Sequence, residues 1–231
     1  MRFNQFITEG INDVGLFKAI FMCGSPGAGK STTISQLNSG KVGARVVNTD
    51  KLIEYFSSQG IAGDVDRAKL LTKEQLTLYL NSMLPLFIDS TSTNPNALIR
   101  RRGLIESIGY DTGLIIVNTS LETVLQRIKQ RNRQVPEDVI RKKHKEAQDL
   151  SSFYKSKFDF YVEINNDDGE ITDELMTDAF KKTTEFFTSP LDSPIGQKTI
   201  FTMKENGWKY LSDGVFDMGY LKNLVSVWYK K

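Results

Sequence analysis

The sequence predicts an α/β fold that is organised around one phosphate-binding loop. Residues 24–31 fit the pattern G-x-x-x-x-G-K-[ST] at every fixed position. An apolar run at 17–23 precedes this stretch and a helix-compatible segment at 31–37 follows it, which is the strand–loop–helix context that the motif requires. Further along the chain, short apolar runs alternate with longer helix-compatible segments, as expected where strands and helices alternate.

The loop is expected to bind the phosphates of a nucleoside triphosphate. Its glycines let backbone N–H groups point inward, and the following helix adds donors and the positive end of its dipole. Lys30 would reach the β- and γ-phosphates, and the Ser31 hydroxyl would ligate Mg²⁺. The residues expected to contact the nucleotide are Gly24, Ser25, Pro26, Gly27, Ala28, Gly29, Lys30, Ser31, Thr32 and Arg127.

A second, short strand is predicted at 45–48, followed by a helix at 51–57. Ligands of open α/β sheets bind beyond the carboxyl ends of the strands, so Asp50 is expected at the mouth of the phosphate site. A carboxylate there can accept the proton of an attacking hydroxyl and align it on the γ-phosphate, which makes Asp50 the candidate general base. The alternative is that Thr49 or Asp50 only caps the helix.

A third strand is predicted at 84–89, where an apolar run ends in Asp89. This is the form of a Walker B element, so Asp89 could hold a water of the Mg²⁺ shell; the alternative is that it contacts the acceptor. Pro85 suits the first position of a strand. Asn94 and Pro95 open a helix that is predicted to end at 107, and at least one of its three arginines is expected to face the site: Arg100, Arg101 and Arg102.

Two basic helices are predicted to form a mobile lid. The first, at 121–131, is amphipathic, and Arg127 and Arg131 share one of its faces because they are four residues apart. Pro136 restarts a helix after a corner that carries Arg133. Closure of such a lid would bring Arg131 and Arg133 onto the transferring phosphoryl group. The alternative is a basic helical hairpin that is exposed to solvent.

Further strands at 113–118 and 161–164 bring the predicted number to five. We expect an N-terminal segment at 1–16, a P-loop domain at 17–188 with its lid at about 127–145, and a C-terminal segment at 189–231. The aromatic residues of that last segment favour packing of a small helical appendage, with a base-stacking platform as the alternative. They are Phe201, Trp208, Tyr210, Phe216, Tyr220, Trp228 and Tyr229.

Composition and charge narrow the function classes. The single cysteine excludes an internal disulfide, and no apolar stretch approaches the ~18 residues of a membrane span, so we expect a protein of the cytoplasm. The net charge of the chain is only +2, but residues 99–145 hold 11 Lys/Arg and 5 Asp/Glu. This local positive field favours an anionic partner such as a phosphate group or a nucleic-acid backbone. Solvated helix faces are the alternative explanation.

The four stretches 24–31, 48–50, 89–91 and 131–140 occur in the order found in polynucleotide-kinase-like P-loop kinases, which are relatives of the zeta-toxin kinases. The sequence resembles this group over roughly residues 17–150. The resemblance implies a three-layer P-loop NTPase fold, with about five parallel strands flanked by helices, and implies ATP and Mg²⁺ as cofactors. Carried over residue by residue, it makes Lys30 and Ser31 the phosphate and metal ligands. It also makes Asp50 the general base and Arg131 and Arg133 the lid arginines.

The opening Phe3-x-x-Phe6-Ile7-x-Glu9-Gly10, followed by Phe17-Lys18-Ala19, looks like the start of P-loop kinases of large tailed phages. These include DNA kinases that phosphorylate 5-hydroxymethyluracil during thymine hypermodification. The resemblance therefore implies an ATP-dependent kinase in the cytoplasm of a bacterial host, with 5-hydroxymethyluracil in DNA as its preferred acceptor. A kinase of 5′-hydroxyl ends is an alternative, although the phosphatase domain of bifunctional end-repair kinases is absent. Two further alternatives are a zeta-toxin-type kinase of nucleotide sugars and an NTP-driven binding or packaging factor.

Overall fold

The computed structural model describes residues 10–39, 43–61, 65–90, 94–129, 136–167, 173–208 and 216–229. The strands in this part of the chain are β1 (Lys18–Cys23), β2 (Arg45–Val47), β3 (Leu86–Asp89), β4 (Asp111–Asn118) and β5 (Phe160–Asn165). They form one parallel sheet in the order β2-β3-β1-β4-β5. The predicted α/β class, with five parallel strands, is confirmed.

Ten helices surround this sheet within the same ranges. They are α1 (Lys30–Leu37), α2 (Thr49–Ser58), α3 (Val65–Asn81), α4 (Pro95–Glu106), α5 (Leu121–Lys129), α6 (Glu137–Asp149), α7 (Ser151–Lys155), α8 (Asp173–Thr188), α9 (Pro194–Glu205) and α10 (Met218–Trp228). Helix α2 begins two residues earlier than the sequence predicts. Strand β3 begins after Pro85, whose carbonyl accepts a hydrogen bond from the backbone N–H of Arg45 at 2.8 Å. None of the described helices has the length and apolar character needed to cross a membrane.

The sheet lies between two layers of helices, and β1 shows why. Its side chains alternate between two cores: Phe21 faces the core that contains residues of α3, α4 and α10, whereas Ile20 and Met22 face the core that contains residues of α1 and α8. All six residues of β1 are buried, and after Lys18 the strand reads as a run of five apolar residues, as parallel strands covered on both faces do. This explains why the sequence predicts β1 so clearly.

The C-terminal helix α10 is part of the core, which is a closer association than a small appendage implies. The Trp228 side chain is 2% exposed, and its ring stacks on that of Phe21, with the centroids 5.8 Å apart. Phe216 packs edge-on against Phe17 at 6.3 Å. These aromatic rings are therefore used for packing, whereas Phe201 and Tyr220 are exposed. The predicted domain boundary after residue 188 stays a prediction.

Candidate active site

The predicted phosphate loop joins the carboxyl end of β1 to α1, at the point where the strand order reverses. Gly24 and Gly29 have φ values of 147° and 95°. A Cβ on Gly24 would lie 2.6 Å from the Val117 carbonyl oxygen, and a Cβ on Gly29 would collide with the Asn166 amide. Both positions therefore require glycine. No side chain caps α1, and its first turn holds no acidic residue, so the positive end of its dipole is left for an anion.

The Lys30 side chain lies along the inside of this loop. It is 9% exposed, and its Nζ donates hydrogen bonds to the carbonyls of Gly24 and Ser25, both at 2.9 Å. The ammonium group is thus held above the loop backbone, where a bound phosphate would meet it. Thr32, the last predicted residue of the loop region, is exposed on the first turn of α1.

Three polar side chains meet where β1, β2 and β3 end. The Ser31 Oγ donates to Asp89 Oδ2 at 2.7 Å, and the Asn48 Nδ2 donates to the same oxygen at 2.6 Å. The pairing of β3 with β1 and β2 brings these side chains together. Asp89 of β3 pairs with Met22 of β1, and Ile88 of β3 pairs with Val47 of β2, the residue before Asn48. The predicted association of Ser31 with Asp89 is therefore present, whereas Asn48 is a member that the sequence reasoning missed.

Asn48, and neither Thr49 nor Asp50, caps α2. Its Oδ1 accepts a hydrogen bond from the backbone N–H of Lys51 at 3.1 Å. Asn48 is the one residue between β2 and α2, and its amide caps the helix and contacts Asp89 at the same time. Asp50 is exposed in the first turn of α2, and it lines the cleft beside the loop. The N-cap of α2 is therefore Asn48 and not Asp50, and the role of Asp50 as general base stays a prediction.

A cleft of about 370 Å³ connects these residues. Lys51 and Glu54 of α2 line it, as do Val139 and Lys143 of α6. These four were not predicted, although Glu54 lies one helical turn beyond Asp50 and could have been placed on the same face. A larger cleft of about 710 Å³ lies at the opposite edge of the sheet, at the amino ends of β4 and β5, so size does not identify the site.

On the other side of the loop, Arg127 joins α5 to the chain after β5. One guanidinium nitrogen donates to the carbonyls of Gly27 and Ala28, both at 3.4 Å, and the other donates to the Asn166 carbonyl at 3.0 Å. The Asn166 amide donates in turn to the Ala28 carbonyl at 2.7 Å. Arg127 therefore lies at the loop, as predicted, and Asn166 is a second neighbour that the sequence reasoning missed.

The two predicted lid helices are present as α5 and α6, and they pack through Val124, Ile128 and Ile140. A Cβ added to Gly27 would contact Ile128 at 3.1 Å, so α5 lies directly against the phosphate loop. The predicted lid arginines, Arg131 and Arg133, lie outside the described residues, and their roles stay predictions.

The donor set near Ser31 fits Mg²⁺. A hydroxyl and a carboxylate oxygen lie within 2.7 Å of each other, and oxygen ligands of this kind suit a hard cation. Among the described residues there is no cluster of three or more His, Cys, Asp and Glu side chains. An ion here would thus complete its shell with nucleotide phosphates and water, as Mg²⁺ commonly does.

The cysteine beneath the loop is fully buried. Burial raises the pKa of the Cys23 thiol to about 12, although the charge of Lys30 and the backbone N–H of Gly24 act in the opposite direction. The thiol is therefore protonated at neutral pH and packs as an apolar side chain of β1.

One solved structure supports the fold with a TM-score above 0.5, and two others align less well. A protein from Chloroflexus aurantiacus J-10-fl, provisionally described as a kinase, aligns with a TM-score of 0.54 at 15% identity over 74% of this chain and 98% of its own. A gluconokinase from Sinorhizobium meliloti 1021 aligns with a TM-score of 0.48 at 15% identity over 74% and 94% of the two chains. One chain of the Pnkp1/Rnl/Hen1 RNA repair complex aligns with a TM-score of 0.49 at 20% identity over 64% of this chain and 48% of its own.

No curated protein matches the sequence. The family AAA_33, described as an AAA domain, matches residues 20–151, which is more than half of the chain and includes the loop, Asp50, Asp89 and both lid helices. The chain therefore belongs to the AAA domain family AAA_33.

Proposed function

We propose that this protein is an ATP-dependent kinase that transfers the γ-phosphate of ATP to a hydroxyl of nucleic acid, with 5-hydroxymethyluracil in DNA as the preferred acceptor. The observation that carries the proposal is the convergence of Lys30, Ser31, Asp89 and Asp50 on one cleft. Assignment as a phosphotransferase is supported by the AAA_33 family match and by a fold that has the phosphate loop at its switch point.

At the phosphate end, the loop backbone and the amino end of α1 would bind the β- and γ-phosphates, with Lys30 against them. The Lys30 Nζ donates to two neutral carbonyls at 2.9 Å, and a charged phosphate would be a stronger acceptor for the ammonium group. Ser31 and Asp89 would hold Mg²⁺, which when bound neutralises charge on the phosphates. Asn48 keeps Asp89 oriented by donating to the same oxygen that Ser31 contacts.

At the acceptor end, Asp50 would act as the general base. Its position in the first turn of α2 places the carboxylate at the cleft, next to the loop that would hold the γ-phosphate. It would accept the proton of the attacking hydroxyl and direct the hydroxyl oxygen in line with the leaving ADP oxygen. Most of the rate acceleration would come from positioning and from charge stabilisation.

Arg127 and Asn166 would bind the nucleotide on the β4 and β5 side of the loop, since both contact the carbonyl of Ala28. Arg131 and Arg133 would supply positive charge to the transferring phosphoryl group when the lid closes, which is a role proposed from the sequence. The nucleic-acid acceptor is supported by the sequence resemblance and by the excess of positive charge in residues 99–145.

The test is an acceptor panel with γ-labelled ATP and Mg²⁺. The acceptors are DNA that contains 5-hydroxymethyluracil, the same DNA with thymine, a 5′-hydroxyl oligonucleotide, free nucleosides and a nucleotide sugar. We expect label on the hydroxymethyluracil DNA and none on a matched strand with thymine and phosphorylated ends. Label only on 5′ ends or on small molecules would overturn the preferred acceptor, and release of free phosphate with no labelled acceptor would overturn the kinase.

A further inference from the structure

Three residues from distant parts of the chain meet at the end of α10. The Lys73 Nζ of α3 lies 5.2 Å from the centroid of the Tyr229 ring, and the Arg101 guanidinium of α4 lies 6.0 Å from the same centroid. Arg101 is also 5.7 Å from the Trp228 ring, and its Nε donates to the Trp228 carbonyl at 3.2 Å. The end of α10 thus holds two cations of α3 and α4 around one tyrosine.

Within the described ranges, no carboxylate forms an ion pair with Lys73 or Arg101, whereas other cations of the same helices are paired. Lys69 contacts Asp66 at 3.1 Å and Arg102 contacts Glu106 at 2.6 Å. Tyr229 supplies no counter-charge at neutral pH, because burial raises the pKa of its phenol.

Burial makes this arrangement costly without an anion. It lowers the pKa of Arg101, to which the neighbouring charge of Arg100 also contributes, while Tyr229 acts in the opposite direction. Rings and a carbonyl offer partial compensation only. A phosphate group would supply the missing charge, and the planar guanidinium matches its oxygens in a bidentate manner.

The position of the cluster connects it to the acceptor. The Thr49 hydroxyl lies within hydrogen-bonding reach of the Tyr229 phenol, and Thr49 stands between Asn48 and Asp50. This is the β2 end of the sheet, whereas Arg127 and Asn166 lie toward β4 and β5 on the other side of the loop. A ligand at Lys73 and Arg101 would therefore approach Asp50 from the side opposite to Arg127 and Asn166, the proposed nucleotide contacts.

We propose that Lys73, Arg101 and Tyr229 form an acceptor-phosphate subsite, which binds a backbone phosphodiester of the nucleic acid whose hydroxyl lies at Asp50. The subsite rests on the proposed function and deepens it, since it gives the acceptor a binding contact away from the reacting hydroxyl. It also gives α10 a role besides packing, because Trp228 and Tyr229 both contact Arg101.

The test compares Lys73→Gln and Arg101→Gln with Lys69→Gln, a matched control that removes an ion-paired cation of α3. Binding of a fluorescent single-stranded 12-mer and its phosphorylation are measured between 50 and 300 mM salt. Each subsite variant should weaken binding and raise the acceptor KM about tenfold, with the KM for ATP unchanged. Each should also reduce the slope of log affinity against log salt by about 0.7, the value for one phosphate contact on a single strand. Lys69→Gln should match wild type.

The outcomes separate the subsite from the proposed function. If wild type binds and phosphorylates the 12-mer but both subsite variants match Lys69→Gln, the subsite is overturned and the kinase stands. If wild type neither binds nor phosphorylates nucleic acid, both are overturned. If a mononucleotide loses as much affinity as the 12-mer, the group bound is a phosphomonoester and the phosphodiester assignment is wrong. Arg101→Lys, which keeps the charge, should recover most of the affinity, and equal thermal melting of the variants excludes unfolding as the cause.

Discussion

Asn48 is the side chain whose removal should damage the candidate site most selectively. It is 9% exposed and makes two hydrogen bonds with different purposes. The Oδ1 caps α2 through the backbone N–H of Lys51 at 3.1 Å, and the Nδ2 donates to Asp89 at 2.6 Å. Asn48→Ala removes both bonds. Asn48→Ser keeps an oxygen that can cap the helix, but its side chain is too short to reach Asp89.

Each of the two hydrogen bonds contributes its own share to the free energy of unfolding. Loss of an N-cap costs about 1 kcal/mol. Loss of a hydrogen bond to a carboxylate costs about 1.5–3 kcal/mol, and the lower end applies because Asp89 is half-buried and keeps Ser31 as a donor. Asn48→Ala should therefore lower the free energy of unfolding by about 2.5 kcal/mol and Asn48→Ser by about 1.5 kcal/mol. For a chain of this size, the alanine variant should melt about 5–10 °C below wild type.

Urea denaturation followed by circular dichroism measures these differences, and phosphoryl transfer measured in parallel reports on Asp89. Both variants should slow transfer, because Asp89 has lost a donor that orients it. A serine variant as stable and as active as wild type would show that the bond between Asn48 and Asp89 contributes nothing. Equal losses for alanine and serine would refute the capping role.

Two further predictions concern the core and its protons. Trp228→Ala should lower the free energy of unfolding by about 3–5 kcal/mol, because the ring is buried on Phe21. Phe201→Ala, at a side chain that is 64% exposed, should change it by less than about 0.5 kcal/mol. Equal effects of the two substitutions in urea denaturation would show that α10 is not part of the core. The free energy of unfolding should also fall above pH 9. In the folded chain Cys23 and Tyr161 each have a pKa of about 12, so both stay protonated, whereas in the unfolded chain they lose their protons from about pH 9 and 10. Urea denaturation midpoints at pH 8 and pH 10.5 measure this fall. The midpoint of Cys23→Ala should fall less than that of wild type. An equal midpoint at both pH values would contradict the raised pKa values.

The fold was accessible from the sequence because its signals are local. Parallel strands that are buried on both faces read as continuous apolar runs, and the phosphate loop carries its conformation in its glycines. The position of Asn94 before Pro95 likewise predicts the start of α4, where the Asn94 side chain accepts from the Ala97 N–H at 3.0 Å. In these places, residues close in sequence decide the structure.

The rest depends on contacts between distant residues. Asn48, Thr49 and Asp50 can all cap a helix, and the choice among them follows from where β2 stops pairing with β3. No pattern near Arg101 shows that Trp228 and Tyr229 will lie beside it, because α10 must first pack on α3 and α4. The aromatic residues of the C-terminal segment are visible in the sequence, but whether they face the core or solvent is a tertiary property.

The most direct test of the central claim is the rate of γ-phosphate transfer by Asp50→Asn at saturating ATP, with the best acceptor of the panel. The amide keeps the shape of the side chain but cannot take a proton, so transfer should fall by about 10²–10⁴-fold while the affinity for ATP stays within about twofold of wild type. Glu54→Gln, one turn further along the same helix, is the matched control for a lost charge in the cleft and should retain most of the activity. Transfer by Asp50→Asn at a near-normal rate would contradict the account, because the cleft would then lack its proposed base.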